Sequence, residues 1–350
     1  MAKKIPPKQH TLAEGDNSDA WEKYPGLIRL FLEQLSDYEQ LCDEVAYILR
    51  KKLKKANIET ASITSRAKTL NSFLEKVMSG RKKYDSPFEQ ITDFAGARVV
   101  CLYKEDLSRI EKIISKDFDI VEKVDKMNDK SVDQFGYGAI HFVVQLGKNS
   151  SGARYDNLKE LKCEIQTRTV LQDAWAIIQH HLVYKHEGDV PKQLQRKLNG
   201  LSGLFENIDD QYQLIKKTRD AYLKGIRESK NNKKEFLRNE LNLDSLREYL
   251  KWKFPNRMVS MLTKGLEDLY NESSDAGLQT LKDVDCLLDS TVDARRSIMK
   301  DLGVLQERYP ASVEYALAVA LTNSAFRESG YMPPRWVDAT GKYIKHQVKK

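Results

Sequence analysis

Residues 159–186 read KELKCEIQTRTVLQDAWAIIQHHLVYKH, and the hydrophobic period changes in the middle of the run. Up to Thr169, the side chains of Cys163, Ile165 and Thr167 alternate with Glu164, Gln166 and Arg168, the two-residue period of a strand with one polar face. From Val170 the apolar residues recur at helical spacing, so the segment predicts a strand followed by an amphipathic helix over 170–186. Three further runs rich in Val and Ile lie upstream: RVVCLY (98–103), FDIVEKVDKM (118–127) and AIHFVVQL (139–146). A helical stretch at 105–116 separates the first two, and a Gly/Ser turn at 147–152 precedes the last strand. Four strands interleaved with helices predict an α/β (α+β) domain, a mixed sheet with helices packed on it.

The flanks read differently. Residues 1–18 are polar and predict a loose tail. Between Trp21 and Asn57 a stripe of Leu27, Leu30, Phe31, Leu35, Tyr38, Leu41, Val45, Ile48 and Leu49 predicts one or two helices. A short helix is expected over 65–79. From Leu194 to Ile226 apolar residues step by four and three, through Leu198, Leu201, Phe205, Ile208, Tyr212, Ile215 and Tyr222, missing only at Arg219. Such a helix either packs back on the sheet domain or meets a partner helix, which makes residues 191–227 a candidate homo-oligomer surface. The charged, Asn-rich break ESKNNKKEF (228–236) is the expected domain boundary, closing a sheet domain of residues 19–227. Beyond it, residues 240–330 predict an all-α region of short helices at 244–253, 257–270, 275–290, 292–302 and 310–328, with a mobile basic tail over 331–350.

Composition narrows the partners. The chain has 350 residues, with 58 Lys and Arg against 51 Asp and Glu, a net charge of +7 that favours an anionic partner. No run approaches the roughly 18–20 apolar residues of a membrane span, and the N-terminus lacks the apolar core of a secretory signal. Cys42, Cys101, Cys163 and Cys286 form no CxxC pair. The expectation is a reduced, cytoplasmic protein without structural zinc and without membrane contact.

Four blocks carry candidate chemistry. In SRAKTLNSFLEKVMSGRKK (65–83), Lys68, Ser72 and Lys76 are spaced by four, so a helix capped by Ser65 would align two ammonium groups and a hydroxyl as a polyphosphate clamp. Arg66 projects another way, where a guanidinium can stack on a base or grip phosphate. In ITDFAGARVVC (91–101), Asp93 and Arg98 straddle a small-residue turn at Gly96 and Ala97, and Asp93 suits Mg²⁺. In DQFGYGAIHFVV (133–144), Tyr137 between glycines can stack on a nucleobase, and His141 enters a strand. In the strand of 163–169, Glu164 is costly in mid-sheet unless it binds metal or moves a proton. Taken singly, each block is also compatible with an ordinary solvated face or turn.

Taken together and in order, the blocks resemble the synthetase domain of the RelA/SpoT alarmone family. Its pattern is a basic R-x-K-x-x-x-S-x-x-x-K helix, a D-x-x-G-x-R strand entry, a G-Y-x-x-x-H loop, an E-I-Q-x-R-T strand and an A-W-x-x-I-x-H-x-L-x-Y-K helix. Here these positions are Arg66, Lys68, Ser72, Lys76; Asp93, Gly96, Arg98; Gly136, Tyr137, His141; and Glu164, Gln166, Arg168, Thr169. Ala174, Trp175, His180, Leu182, Tyr184 and Lys185 complete the set. The resemblance covers roughly residues 40–225 and implies a nucleotidyltransferase-like fold. It also implies pyrophosphoryl transfer from ATP to the 3′-hydroxyl of GDP or GTP, with AMP released. Arg66 and Arg98 would enclose the adenine, and Lys68, Ser72 and Lys76 would hold the phosphates. Asp93 and Glu164 would position Mg²⁺, with Glu164 also drawing the proton from the 3′-hydroxyl. Tyr137 would stack on guanine, with His141, Gln166 and Lys130 on the acceptor side.

Three departures bear on the acceptor and on hydrolysis. Family members often carry Arg-Ser after the loop tyrosine, where this chain has Gly138 and Ala139, and Gln179 stands where a glutamate often precedes the helix histidine. None of the six histidines is followed by Asp, so no hydrolase activity is expected. Two alternatives remain at this point: a relative that pyrophosphorylates the 3′ end of tRNA, and a catalytically idle nucleotide-binding regulator.

Overall fold

The computed structural model describes residues 18–78, 83–125, 138–182, 192–260, 263–305 and 308–347. Its N-terminal elements are α1 (Ser18–Lys23), α2 (Pro25–Lys55), β1 (Thr60–Ala67), α3 (Leu70–Met78), α4 (Pro87–Gln90), β2 (Ala95–Cys101) and α5 (Lys104–Asp117). Then follow β3 (Phe118–Asp125), β4 (Ile140–Leu146), β5 (Cys163–Thr169), α6 (Val170–Leu182) and α7 (Lys192–Ser229). The chain divides into two compact units, residues 1–215 and 216–350, with the division inside α7. That lies N-terminal of the expected break at 228–236, because the last turns of α7 serve the second core, in which Ile226 is buried.

In the first unit the sheet runs β1-β2-β5-β4-β3. The β2–β5 pair is parallel and the other three pairs are antiparallel. This is the expected mixed sheet with one strand more than the four read from sequence. The additional strand is β1, whose residues TASITSRA contain the β-branched Thr60, Ile63 and Thr64 and pair in register with β2, Thr64 facing Arg98 and Arg66 facing Gly96. The expected helix over 65–79 therefore begins only at Leu70. Ser65 is a strand residue; the cap is Thr69, whose hydroxyl accepts from the Ser72 amide at 3.3 Å. Likewise Gly96 and Ala97 lie within β2 rather than in a turn before it.

One face of the sheet is buried beneath α2 and α5. Ala95, Ala97, Val99, Cys163, Ile165, Phe142 and Val144 meet Leu41, Val45, Leu49, Ile110 and Ile114 there. Stacked rings extend this core: Phe88 and Phe94 have centroids 5.2 Å apart, and Phe31 and Phe73 5.1 Å. Pleating sends the alternate residues Glu164, Gln166, Arg168, Arg98 and His141 to the opposite face. The first half of α7 packs back on this unit, through Phe205 against Trp175 (5.7 Å) and Asp209, which accepts from the Thr169 hydroxyl at 2.6 Å. The packed face is thus the one bearing buried Ser202 and Asp209, while the heptad residues Leu201, Tyr212 and Ile215 are 45%, 52% and 62% exposed.

The second unit is all-α, as expected for 240–330. It comprises α8 (Lys233–Phe236), α9 (Leu243–Lys253), α10 (Thr263–Asp275), α11 (Leu281–Ser290), α12 (Val292–Asp301), α13 (Ala311–Thr322), α14 (Ser324–Glu328) and α15 (Pro334–Gln347). Capping boxes at Asn242–Ser245 and Thr280–Asp283 start α9 and α11, so α11 begins later than the expected residue 275. Helix α13 is buried on nearly every side, and its own Tyr315 joins Tyr249, Phe236 and Phe326 in filling this core. The expected mobile tail is instead α15, which buries Ala339 and packs Trp336, Val337, Tyr343 and Ile344 on this core. No helix among the described residues is long and apolar enough to cross a membrane.

Candidate active site

Strand register places the polar residues. Arg98 on β2 faces Gln166 on β5, which faces His141 on β4, so three side chains form one row across the sheet. One step along, Glu164 faces Gly96, whose missing side chain leaves the adjoining space open. A Cβ on Gly96 would meet backbone no closer than 3.8 Å, so what the glycine supplies is room in the cavity rather than relief from a clash. The cavity has a volume of about 380 Å³ and is lined by Arg66, Lys68, Ser72, Asp93, Arg98, Glu164 and Gln166, with Thr64, Ser65 and Thr69 at its wall.

Lys68 and Lys76 reach Asp93 from different elements. Lys68 lies between β1 and α3, its amide donating to the Phe94 carbonyl at 2.7 Å, while Lys76 lies in the last turn of α3. Both ammonium groups close on Asp93, at 2.8 Å to Oδ2 and 3.0 Å to Oδ1. The single helical stripe read from the spacing is therefore replaced by convergence on one carboxylate. Burial by itself would raise the Asp93 pKa, but the hydrogen bonds and charges of the two lysines outweigh it and hold the carboxyl below its usual range.

Glu164 has its own partners. His141 Nδ1 lies 2.7 Å from Oε1, and Gln166 Nε2 donates to Oε2 at 3.1 Å. The His141 contact lowers the Glu164 pKa most; burial and the charge of Asp93 oppose it. Because an ionised carboxylate only accepts, the proton in the imidazole contact sits on Nδ1, and a neutral ring then offers Nε2 as an acceptor. The two carboxylates lining the cavity supply hard oxygen donors, and no group of three or more metal-ligating side chains occurs among the described residues. This suits an ion that takes one or two carboxylates and completes its shell with phosphate oxygens and water.

The expected residues Arg66, Lys68, Ser72, Asp93, Arg98, Glu164 and Gln166 are thus brought to one cavity, with Lys76 and His141 bonded to its carboxylates. Tyr137, Gly136 and Lys130, and likewise Tyr184 and Lys185, lie outside the described residues. Asp173 escaped the sequence reading altogether. It stands in the first turn of α6 and accepts from Arg98 Nη1 at 3.2 Å, with Arg168 Nη1 3.5 Å from the same oxygen. An acid placed just after a polar strand was the available signal.

A family model described as a region found in RelA / SpoT proteins matches residues 65–189. The chain is 28% identical over 160 residues to the GTP pyrophosphokinase YwaC of Bacillus subtilis, covering 45% of this chain and 73% of the relative. It is 29% identical over 157 residues to the GTP pyrophosphokinase YjbM of the same organism, covering 44% and 71%. Among solved structures, the small alarmone synthetase 2 of Bacillus subtilis matches with a TM-score of 0.44 at 29% identity, over 53% of this chain and 98% of that one. Residues 65–189, which contain β2 to β5 and most of the cavity lining, are the part of the chain that matches the RelA/SpoT region.

Proposed function

We propose that this chain transfers a pyrophosphoryl group from ATP to the 3′-hydroxyl of GDP or GTP, forming (p)ppGpp and releasing AMP. The observation that carries the reading is the single cavity shared by Asp93, Glu164, Lys68 and two arginines, with Lys76 bonded to Asp93. Arg66 and Arg98 stand on neighbouring strands and flank the space for a purine, to which guanidinium planes offer stacking surfaces. Lys68 and Lys76, with Ser72, face the phosphates. Asp93 and Glu164 would hold Mg²⁺, which would neutralise phosphate charge. His141 and Gln166 hold Glu164 in place and line the acceptor side, where Tyr137 would stack on guanine and Lys130 would add charge.

In the reaction the 3′-oxygen bonds to the β-phosphorus and the bond from that phosphorus to the bridging oxygen of AMP breaks. The hydroxyl proton passes to Glu164. A carboxylate of lowered basicity suits accepting it only as the new bond forms, so most of the acceleration comes from positioning and charge neutralisation. The exposed stripe of Leu201, Tyr212 and Ile215 suits a second copy of the chain, which sedimentation would reveal.

Product analysis by anion exchange after incubation with ATP plus GDP, GTP or tRNA tests the reading. AMP formation that depends on a guanosine nucleotide is expected. Glu164→Ala is expected to slow it about 10³-fold, the order seen for loss of a group acting in the transition state. Unchanged turnover in a folded Glu164→Ala chain would sink the assignment. Transfer to tRNA alone would make tRNA the acceptor, and ATP binding without AMP release would mark a regulator.

A further inference from the structure

Arg168 and Asp173 are left without a task by the reaction as written, yet the chain has placed them expensively. The Arg168 side chain is 13% exposed, and its Nε is a buried donor with no partner. Burial foremost, and the neighbouring charge of Arg98, lower its pKa. A guanidinium set in such surroundings costs folding free energy unless its hydrogen bonds and ion pairs offset the lost hydration.

Its contacts supply such bonds. Arg168 Nη2 donates to Gln166 Oε1 at 2.9 Å, which turns the Gln166 amide so that Nε2 donates to Glu164 Oε2 at 3.1 Å. Glu164 Oε1 in turn meets His141 Nδ1 at 2.7 Å. At the other end, Asp173 Oδ1 accepts from Arg98 Nη1 at 3.2 Å and lies 3.5 Å from Arg168 Nη1. One unbroken chain of polar contacts thus runs from Arg98 to His141. Its weakest link is the 3.5 Å separation, at a carboxylate oxygen that two guanidinium groups share.

We propose that Asp173 is a positioning residue which parks Arg98 when the donor side is empty and, through Arg168 and Gln166, couples occupancy of that side to the alignment of Glu164 and His141. The inference rests on the proposed function, with a purine at Arg98 and the acceptor at His141 and Gln166. Stacking on a purine draws Arg98 from Asp173 and leaves that oxygen to Arg168. The stronger Asp173–Arg168 pair then re-seats the guanidinium whose other nitrogen orients Gln166. Donor and acceptor therefore bind with unequal affinity alone and together, and the factor is the same from either direction. An acid that merely stabilised the start of α6 through the helix dipole would alter folding and leave this factor untouched.

Calorimetric titration of the full chain with an ATP analogue carrying a methylene bridge between the α and β phosphorus, with and without saturating GDP, reads the factor directly. In the wild-type chain GDP is expected to change the analogue's dissociation constant about fivefold or more. In Asp173→Asn the two dissociation constants converge to within about twofold, Arg98 being no longer held by charge, in a chain that still melts cooperatively although Arg168 has lost its carboxylate. Asp173→Glu restores part of the factor. Should Asp173→Asn fail to fold, Arg168→Lys, which keeps the charge and loses the planar fork, is expected to give the same convergence. A wild-type chain that releases AMP but shows no coupling, or an Asp173→Asn chain that keeps the full factor, overturns this inference alone. A chain that binds neither nucleotide overturns it together with the proposed function.

Discussion

Asp93 in the first unit and Glu314 in the second are both carboxylates gripped by two cations, and they differ in what surrounds the grip. Asp93 meets Lys68 and Lys76 at the wall of a cavity and keeps 28% of its side chain exposed. Glu314 meets Arg257 Nη1 at 2.9 Å and Arg295 on its other oxygen, with none of its side chain exposed. The arginines are tied down further: Arg257 Nε donates to the Tyr309 carbonyl at 2.8 Å and Arg295 Nη2 to the Leu288 carbonyl at 2.8 Å. Two ammonium groups on flexible stems beside open space can leave their carboxylate for a phosphate. Two planar forks in a closed core cannot, so the same charge arrangement borders an open cavity in one unit and forms a structural joint in the other.

The comparison breaks most sharply at Glu314. Glu314→Ala leaves two buried guanidinium groups unpaired and is expected to cost about 3–5 kcal/mol of stability, read as a lower denaturant midpoint for the second unit. If the loss is below about 1 kcal/mol, solvent reaches the joint after all. Asp93→Asn should behave in the opposite way. Turnover falls about 10²–10³-fold while stability changes by no more than about 1 kcal/mol, since the cluster borders an open cavity and the asparagine oxygen still accepts from a lysine. Both quantities come from parallel AMP assays and urea melts.

A smaller effect sharpens the contrast. Glu248 in α9 accepts from Lys230 at 2.8 Å and from Lys251 at 3.2 Å. Burial would raise its pKa, but these lysines bring it down to about 2. A carboxyl whose pKa is lower folded than unfolded contributes stability that is present above the unfolded value, near 4.5, and is lost as pH falls through the folded one. Stability of the second unit is therefore expected to decline between about pH 5 and pH 2. Glu248→Gln should flatten that decline at a neutral-pH cost of about 1–2 kcal/mol, discounted for the solvent around its partners.

Legibility followed the length scale of each interaction. The alternation of Glu164, Gln166 and Arg168 with apolar neighbours was visible because a strand in mid-sheet writes its two faces into its sequence. Strand β1 was not visible, since TASITSRA is polar and sits directly before helix-forming residues; only pairing with β2 makes it a strand. The heptad of α7 was read correctly as a long helix and left undecided between two partners. The structure buries the polar face with Ser202 and Asp209, because Thr169 and Trp175 supply a hydrogen bond and a ring surface there. Helix α15 was hidden for a similar reason: its basic residues dominate the composition, while Trp336, Val337 and Ala339 become informative only against the second core.

The sequence by itself determined which chemical groups the site contains and their order along the chain, from Arg66 to Arg168, since residue type and spacing are local properties. It also determined that a mixed sheet precedes an all-α region. Only the tertiary structure decided how these groups are shared: that Lys68 and Lys76 arrive from different elements onto Asp93, and that Asp173 ties Arg98 to Arg168. Such choices depend on which strands are neighbours. The parallel pairing of β2 with β5 joins residues roughly seventy positions apart and leaves no periodic trace in either segment.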